Sequence, residues 1–484
     1  MRQTIDNLES TTTSLRPLCV DLDGTLVKSD TLVDSLLVLL RTRPLMVFML
    51  PGWLLHGKAA FKKYLSQSIT LDVAHLPYNR SLLRFLQQEH ASGRQIYLAT
   101  GADASIASRV AAHLGFFTQV LGSDGETNLT RSRKLLRLRN LFGSASFDYI
   151  GNGTPDLPML IQAIEPMVAN PSLMLRLRLW MRGIRPARVF HERSHPIKSL
   201  FKAMRWHQWA KNLLIFVPLL LAHGLIFGRL LNALLAFCCF SLTASATYMV
   251  NDMLDIEVDR FHPLKRQRPF ASGDLSPFTG LGIVAVFLLL AISGARFLPP
   301  SFYAWLLLYL ASTLAYSLYL KRVVLVDVLV LSGLYILRLL AGGAATHTPI
   351  SHWLAGFSLF LFLSLAIAKR FAELENLTSS GSTPNNDRGY LLADLDQLRS
   401  FGTASAYAAV VVFAIYISGP DVMRLYRHPR MLWLIVPMMV LWLNRVWLLA
   451  SRGQLDEDPV AFAITDLMSL LIGAAVAAIA MFAL

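Results

Sequence analysis

Four polar side chains lie close together at the end of a long apolar run. They are Asn251, Asp252, Asp255 and Asp259, in the stretch NDMLDIEVD. On a helix, the spacing i, i+4, i+8 brings Asn251, Asp255 and Asp259 to one face, with Asp252 beside them. Like charges at this spacing repel, and carboxylate and amide oxygens are hard ligands. The motif therefore predicts a bound Mg²⁺ that bridges to phosphate groups.

A cluster of cations follows this motif. Lys265, Arg266 and Arg268 come shortly after Asp259, and their side chains can donate to phosphate oxygens. The alternative is a solvated helix end that carries the basic charges typical of the cytoplasmic side of membrane proteins. Several polar ligands at the end of an apolar helix are costly without a function, which favours phosphate binding.

The composition places this motif in a membrane protein. Of the 484 residues, 54% are hydrophobic and 16% are charged, against roughly 45–50% apolar and about 25% charged in soluble domains. From residue 212 onward the chain contains nine apolar runs, each close to the roughly 20 residues that cross a bilayer. They cover about 213–229, 231–250, 279–297, 302–320, 324–345, 351–368, 402–418, 430–449 and 460–482. These runs predict an all-α membrane domain of about nine transmembrane helices.

The charge pattern predicts the orientation and the partners. The net charge is +14, and the loops after the even-numbered spans carry more Lys and Arg than the opposite loops. By the positive-inside rule, the Asp motif and the first half of the chain lie on the cytoplasmic side of the inner membrane. In so apolar a chain, the excess predicts contact with anionic lipid, not with nucleic acid. The sequence is compatible with an oligomer.

The first half of the chain predicts a soluble α/β domain. Three short apolar runs end in Gly-containing loops, at residues 17–27, 93–101 and 147–156, and helical stretches separate them. Such alternation is typical of a Rossmann-like parallel sheet with helices on both faces. Asp21 and Asp23 stand two residues apart at the end of the first run, so an extended backbone points both carboxylates the same way.

The DLDGT motif at 21–25 resembles the first motif of the haloacid dehalogenase superfamily, whose members are mostly phosphatases. The resemblance implies that Asp21 is the nucleophile and Asp23 the general acid and base. Thr100 and Lys134 match the second and third motifs. In the fourth motif, GNGTPD, Asn152 replaces an Asp and Asp156 is retained. A Mg²⁺ site formed by Asp21, Asp23, Asn152 and Asp156 is implied; the alternative is a degenerate domain kept for regulation.

The sequence divides into three regions. Residues 1–170 form the haloacid dehalogenase-like phosphatase domain, with a helical cap at about 30–90 that contains an apolar stretch, 35–57, expected to dip into the membrane surface. Residues 171–200 are predicted to form a basic amphipathic interfacial helix, with a solvated linker as the alternative. Residues 201–484 are expected to form the transmembrane domain that carries the Asp motif.

NDMLDIEVD also resembles the NDxxDxxxD motif of the UbiA superfamily of intramembrane prenyltransferases. Residues 268–273 (RPFASG) and 316–322 (YSLYLKR), with Tyr316, are similar to its flanking motifs. The resemblance covers roughly residues 200–484. It implies that Asp252, Asp255 and Asp259 bind a pyrophosphate group through Mg²⁺, and that the pyrophosphate leaves a carbon with cationic character.

The sequence differs from the lipid–aromatic members of the superfamily in one motif. Lipid–aromatic members of the superfamily carry a second Asp-rich motif, but here the corresponding segment has Lys369 and Arg370 followed by Glu373. Two cations suit a second anionic group that needs no further metal. Together with residues 204–222 and 328–345, this segment resembles the decaprenyl-phosphate phosphoribosyltransferase branch. The donor of that branch, phosphoribosyl pyrophosphate (PRPP), carries both a pyrophosphate and a 5-phosphate.

The resulting hypothesis is a bifunctional enzyme. The membrane domain transfers 5-phosphoribose from PRPP to a polyprenyl phosphate and releases pyrophosphate, and the N-terminal domain removes the 5-phosphate. Substrate-binding residues outside the Asp motif are Lys211, Asn212, Lys265, Arg266, Arg268, Tyr316, Lys321, Asp327, Lys369, Arg370 and Glu373. Lys211 and Asn212 have an alternative role as an interfacial anchor.

Two other functions remain open at this point. The first is a prenyltransferase that moves a polyprenyl chain from its diphosphate to an aromatic or other acceptor, with a regulatory N-terminal domain. The second is a transporter or membrane-anchored regulator, which the position of the Asp cluster at one membrane face disfavours.

Overall fold

The computed structural model describes residues 16–143, 146–223, 226–379, 389–455 and 459–484. The chain forms two compact units. The first comprises Met1–Ala203 and Met249–Leu281, and the second comprises Met204–Tyr248 and Gly282–Leu484. The Asp motif therefore belongs to the same compact unit as the N-terminal region.

The first unit contains a six-stranded parallel sheet, which confirms the predicted α/β fold. Its strands in spatial order are β3, β2, β1, β4, β5 and β6. Their bounds are β1 Leu18–Val20, β2 Ile96–Asp103, β3 Gln119–Ser123, β4 Asp148–Gly151, β5 Pro166–Ala169 and β6 Arg188–Phe190. Leu18 pairs with both Ile96 and Asp148, so β1 is central. The carboxyl ends of β1, β2 and β4 therefore meet at one edge.

Helices cover both faces of this sheet. They are α1 Thr31–Thr42, α2 Leu50–Leu55, α3 Lys58–Ser68, α4 Arg80–Ala91, α5 Ala104–Leu114, α6 Ser132–Phe142, α7 Leu157–Gln162, α8 Leu173–Met181 and α9 Pro196–Met204. Alternate residues of β1 face opposite layers, because side chains in a strand alternate in direction. Leu18 and Val20 pack with residues of α1, α3, α4 and α5, whereas Cys19 packs with residues of α6, α7 and α8.

The predicted cap and linker segments have mixed structure. Residues 35–57 are helical, as expected, with part of α1, a 3₁₀ helix at Pro44–Met49 and α2. Leu45, Phe48 and Leu55 are each at least 80% exposed, and their contact with a membrane stays a prediction. Residues 171–200 do not form one amphipathic helix. They contain α8, the edge strand β6, which pairs with β5, and the start of α9.

The Asp-rich segment does not lie on one continuous helix. Helix α11 (Phe227–Leu254) ends before Asp255, and a short helix, α12 (Ile256–Phe261), continues after it. A 3₁₀ turn at Lys265–Gln267 follows. The expected alignment of Asn251, Asp255 and Asp259 along one helical face is therefore interrupted at Asp255.

The second unit is helical. In addition to most of α11, its helices are α10 Val217–Leu221, α13 Pro277–Ala295 from Gly282 onward, α14 Pro300–Leu318, α15 Val326–Thr346, α16 His352–Ser379, α17 Leu395–Ile417, α18 Pro420–Leu425, α19 Ile435–Ser451, α20 Pro459–Thr465 and α21 Leu467–Ala483. In the described part of the chain, seven helical segments are long and apolar enough to cross a membrane. They involve α11, α13, α14, α15, α16, α17 and α19.

The first and last of the nine expected spans differ from a single long helix. The first expected span begins within a 3₁₀ helix, Trp206–Phe216, and continues into the five-residue α10. The last is divided between α20 and the 17-residue α21. Asp466 separates these two helices and caps α21 by accepting from the backbone N–H of Ser469. The polytopic helical domain is confirmed, and the span count is approximate.

A close backbone approach fixes α15 in the second unit. A Cβ atom at Gly342 would lie 2.1 Å from the carbonyl oxygen of Ile215. No side chain fits at that distance, so glycine allows α15 and the segment Trp206–Phe216 to pack directly against each other.

We expect Gly342→Ala to destabilise the protein by about 1–3 kcal/mol, because the added methyl group forces the two backbones apart. Gly333→Ala is a matched control in the same helix, since a Cβ atom there would have no neighbour within 4 Å. Thermal unfolding of detergent-purified variants, followed by circular dichroism, should show a lower midpoint for Gly342→Ala alone. Equal midpoints for the two variants would contradict the packing argument.

Candidate active sites

The first candidate site lies at the carboxyl edge of the parallel sheet. Lys134 on α6 places its Nζ 2.8 Å from Asp21 Oδ1 and 3.2 Å from Asp156 Oδ1. All three side chains are buried. Asp21 follows β1 and Asp156 follows β4, so the parallel topology brings residues that are distant in sequence to one point.

Tyr149, which the sequence motifs did not single out, completes this cluster. Its hydroxyl donates to Asp156 Oδ1 at 2.8 Å, and Lys134 Nζ donates to the hydroxyl oxygen at 3.0 Å. The backbone N–H groups of Asn152 and Gly153 donate to the other oxygen of Asp156, Oδ2. Asp156 is therefore held rigidly by four donors. Tyr149 lies in β4 on the face that is turned toward α6. Its place in a predicted strand was the one signal in the sequence that could have indicated it.

Burial changes the proton affinity of both aspartates that follow β1. Burial, together with the nearby charge of Asp156, raises the pKa of Asp21 to about 7 although Lys134 opposes the shift. Burial also raises the pKa of Asp23 well above its ordinary value. The carboxylate of Asp23 accepts from the backbone N–H of Thr31 at 2.8 Å. A protonated Asp23 beside an ionisable Asp21 is the pairing that a nucleophile and a general acid require.

Two further motif residues line the same edge. Thr100, within β2, is fully buried, and its hydroxyl oxygen accepts from the N–H of Ala102 at 3.0 Å. Asn152 lies against Gly24, where a Cβ atom would be 1.9 Å from the Asn152 side-chain nitrogen. Gly24 also has a φ of +75°, so both space and backbone conformation require glycine there.

Five of the predicted site residues line a cavity of about 380 Å³, namely Asp21, Asp23, Lys134, Asn152 and Asp156; Thr100 is not among its lining residues. Residues outside the four motifs also reach it, namely Asp30, Ser35, Lys62 and Arg131. Lys62 Nζ on α3 donates to the carbonyl oxygen of Gly101 and to Asn128 Oδ1, at 2.5 and 2.9 Å. Sequence reasoning missed Lys62, because only the tertiary fold brings the cap helix over β2.

The second candidate site is the Asp-rich segment. Arg268 Nη1 bridges two buried carboxylates, at 3.2 Å from Asp252 Oδ1 and 2.8 Å from Asp259 Oδ2. Asn251 donates to Asp255 Oδ2 at 3.0 Å. Burial raises the pKa of Asp259 to about 6, and the charge of Asp252 adds to the shift although Arg268 opposes it. The predicted phosphate ligand Arg268 is thus an ion-pair partner of the motif in this structure.

Both sites have donors that suit Mg²⁺. Among the described residues, no three His, Cys, Asp or Glu side chains converge as a ready-made metal site. Instead, one cation lies between two carboxylates in each site: Lys134 in the first and Arg268 in the second. In each pair one buried carboxylate has a raised pKa, Asp21 in the first site and Asp259 in the second. A divalent cation stabilises the ionised form of such carboxylates, so the donor sets fit the implied metal.

In the second unit, a buried ion-pair network surrounds Arg370. Its guanidinium group donates to Asp327, to Glu373 Oε2 at 2.6 Å and to the Tyr316 hydroxyl at 3.0 Å. Tyr390 also donates to Asp327. Arg370 is 2% exposed, and two carboxylates balance its charge. These contacts favour a structural role for Arg370. Lys321 and Lys369 are both half-buried, and their binding of phosphate stays a prediction.

The remaining predicted ligands occupy different environments. Asn212 is fully buried, where it accepts from Arg338 Nε at 2.8 Å and donates to Ser241 at 3.0 Å. The ammonium group of Lys211 lies 5.8 Å from the centre of the Tyr335 ring, a cation–π contact. In the first unit, Lys265 is half-buried and Arg266 is exposed. Asn212 therefore belongs to the helix packing, which its residue type alone did not indicate.

Comparison with known proteins agrees with this architecture. Residues 213–472 match the UbiA prenyltransferase family. The protein y4nM of Sinorhizobium fredii is 38% identical over 95% of this chain and 90% of its own length. Decaprenyl-phosphate phosphoribosyltransferase of Mycobacterium tuberculosis is 34% identical over 46% of this chain and 74% of its own length. The structure of a UbiA homolog from Archaeoglobus fulgidus bound to GPP and Mg²⁺ covers 58% of this chain and 99% of its own, with a TM-score of 0.45 and 16% identity.

The fold and the acidic motif define a multi-pass membrane transferase with an appended α/β domain. The chain belongs to the UbiA prenyltransferase family, because the match covers more than half of its length.

We expect Mg²⁺ affinity at the Asp-rich segment to fall below pH 6. The pKa of Asp259 is about 6, so lower pH protonates a carboxylate that must be ionised to bind the metal. Mn²⁺ binding measured by electron paramagnetic resonance between pH 5 and 8 would test this in an Asp21→Asn background, which weakens the first site. Asp259→Asn should remove the inflection near pH 6; an inflection that persists in this variant would contradict the assignment.

Proposed function

We propose that this protein transfers 5-phosphoribose from PRPP to a polyprenyl phosphate and that its α/β domain then removes the 5-phosphate. The proposal extends the UbiA-type transferase class to a particular donor and acceptor. It also assigns the phosphatase activity implied by the haloacid dehalogenase motifs to the N-terminal cavity.

The observation that carries the proposal is the contrast between the two acidic clusters. Asp252 and Asp259 share a single, partly exposed cation, Arg268. Glu373, in the segment where a second acidic motif would lie, and Asp327, on α15, are both ion-paired with the buried Arg370. Each cluster thus has two carboxylates for one cation, but Arg268 is 25% exposed and Arg370 only 2%. The first cluster is therefore the one in which a metal-bound diphosphate would take the place of the cation. A donor with one pyrophosphate and one separate phosphate fits this arrangement, and so does the 34% identity to a phosphoribosyltransferase.

In the transfer step, an anionic oxygen of the lipid phosphate attacks the anomeric carbon of the donor. The bond from that carbon to the pyrophosphate oxygen breaks, and its electron pair leaves with the pyrophosphate. Mg²⁺ held by Asp252, Asp255 and Asp259 would neutralise this leaving group. Arg268, released from the carboxylates, would donate to its oxygens. No general base is needed, because the attacking phosphate is already ionised.

In the second step, the ionised carboxylate of Asp21 attacks the phosphorus of the 5-phosphate. Asp23, whose pKa burial raises, gives its proton to the leaving ribose oxygen. Asp23 then accepts a proton from the water that hydrolyses the aspartyl-phosphate and releases inorganic phosphate. Lys134, which lines the cavity, would bind the phosphate oxygens. Asp156 and Asn152 would complete the site for Mg²⁺, whose charge offsets that of the phosphoryl group.

The proposed setting follows from these substrates. PRPP is a highly charged, water-soluble donor, so it must reach the site from the aqueous side. The excess of basic residues favours an Asp motif on the cytoplasmic side of the inner membrane. The polyprenyl phosphate would enter from the bilayer. Removal of the 5-phosphate on the same membrane face would leave a neutral sugar on the lipid.

The test is a product assay with detergent-purified protein, Mg²⁺, polyprenyl phosphate and PRPP labelled in the ribose. We expect label to move into a lipid fraction on thin-layer chromatography. Asp252→Asn and Asp259→Asn should each reduce this transfer at least about 100-fold, because the pyrophosphate loses its stabilising charge. Asp21→Asn should leave transfer intact and abolish a second, less charged lipid spot.

The same assay separates the alternatives. Label that stays in the aqueous phase, with a prenyl diphosphate consumed in the presence of an aromatic acceptor, would overturn the PRPP proposal and support prenyl transfer. A single lipid spot that is identical in the wild type and in Asp21→Asn would overturn the phosphatase step alone.

A further inference from the structure

Residues 249–281, which carry the transferase motif, pack within the same compact unit as the α/β sheet. This segment and the sheet domain are separated in sequence by α10 and most of α11. Their association therefore depends on tertiary contacts, and these contacts occur at several points along the segment.

The most buried of these contacts is an ion pair between Arg260 and Asp34. Arg260 Nη1 donates to Asp34 Oδ2 at 2.9 Å, and its Nε donates to the carbonyl oxygen of Ala271 at 3.1 Å. Ser29 donates to the same oxygen of Asp34 at 2.7 Å. The side chains of Arg260 and Asp34 are 5% and 2% exposed. Arg260 directly follows Asp259 on α12, so the ion pair fixes the residue next to a motif carboxylate.

The helix that holds Asp34 also begins at the phosphatase site. The first N–H of α1, from Thr31, donates to Asp23, the second aspartate of the DLDGT motif. Asp34 lies one turn further along the same helix. Arg41, near the end of α1, lies 3.9 Å from Asp255. Helix α1 thus contacts an aspartate of each candidate site.

A second contact reinforces the first. Gly273, with a φ of +73°, lies so close to Lys28 that a Cβ atom would be 2.7 Å from the Lys28 Cβ. Lys28 is also 3.5 Å from Asp274, and its carbonyl oxygen accepts from Arg193. The RPFASG motif therefore packs against the loop between β1 and α1.

We propose that Arg260 is a positioning residue of the transferase site, which it holds in place by anchoring α12 to Asp34 of the α/β domain. The proposal rests on the proposed function for its activity readout. Arg260 does not need to touch the substrate. It fixes the backbone beside Asp259, so that the motif carboxylates stay at the spacing that a metal-bound pyrophosphate requires.

Loss of Arg260 should affect binding more than turnover. Without its cation, the buried Asp34 would be charged and uncompensated, and α12 would lose its anchor. At saturating concentrations of Mg²⁺ and PRPP, ligand binding can still bring the motif carboxylates to their working positions, so turnover should be nearly normal. We therefore expect Arg260→Met to raise the apparent KM for PRPP and Mg²⁺ at least tenfold, with kcat at saturation within about threefold of the wild type. Arg260→Lys, which retains the charge, should recover part of the loss.

Arg94→Met is the matched control. Arg94 forms a buried ion pair with Asp148 in the same unit, at the amino edge of the sheet and away from both sites. The Arg94→Met variant should have a lower thermal midpoint but unchanged KM values for PRPP and Mg²⁺. The swap Asp34→Arg with Arg260→Asp should recover affinity relative to Arg260→Asp alone, which a non-specific loss of stability would not show.

Mn²⁺ binding, measured by electron paramagnetic resonance in the Asp21→Asn background, tests the inference without any activity. A tenfold weaker affinity in Arg260→Met than in Arg94→Met would support it. Unchanged metal affinity and unchanged KM values in Arg260→Met would overturn it. If Arg260→Met does not fold, the same comparison with Arg260→Lys decides the matter. If the wild type forms no lipid product from PRPP, the proposed function fails and the metal-binding result still stands for the inference.

Discussion

The structure depends on one electrostatic constraint: a buried carboxylate needs a cation beside it. Removing one partner of such a pair typically costs about 3–5 kcal/mol. Several clusters of the described residues meet this constraint with a single basic side chain. Lys134 balances Asp21 and Asp156, Arg268 balances Asp252 and Asp259, Arg370 balances Asp327 and Glu373, and Arg260 balances Asp34. The exposure of these cations distinguishes the candidate sites from the ion pairs that hold helices in place.

Arg268, in the Asp-rich segment, differs from Arg370 and Arg260 in its exposure to solvent. Arg268 is 25% exposed, but Arg370 and Arg260 are 2% and 5% exposed. In the proposed mechanism, a metal and a pyrophosphate displace Arg268 toward solvent, where it becomes a phosphate ligand. Arg370 and Arg260 hold helices in place instead. Lys134 is buried, yet it lines the cavity at the sheet edge, where a phosphate can reach it directly.

Local sequence patterns were sufficient to predict the two kinds of fold. Apolar runs that end in glycine indicated the parallel sheet and placed Asp21 at the end of a strand, where the structure has it. Asp156 lies further on, in a 3₁₀ turn at Thr154–Asp156 after β4. Features that depend on distant contacts were not predictable. Nothing near Arg260 in sequence indicates Asp34, and the helix break at Asp255 has no Gly or Pro signal. The basic, apolar composition of residues 171–200 wrongly indicated a single interfacial helix, because this segment contains the edge strand β6 of the sheet.

The most direct test of the account is high-resolution mass spectrometry of the lipid product formed from polyprenyl phosphate and PRPP. The account predicts that the lipid gains a phosphopentosyl group in Asp21→Asn and a pentosyl group without the extra phosphate in the wild type. A lipid that stays unmodified with PRPP, while a prenyl chain is transferred from its diphosphate to another acceptor, would contradict it.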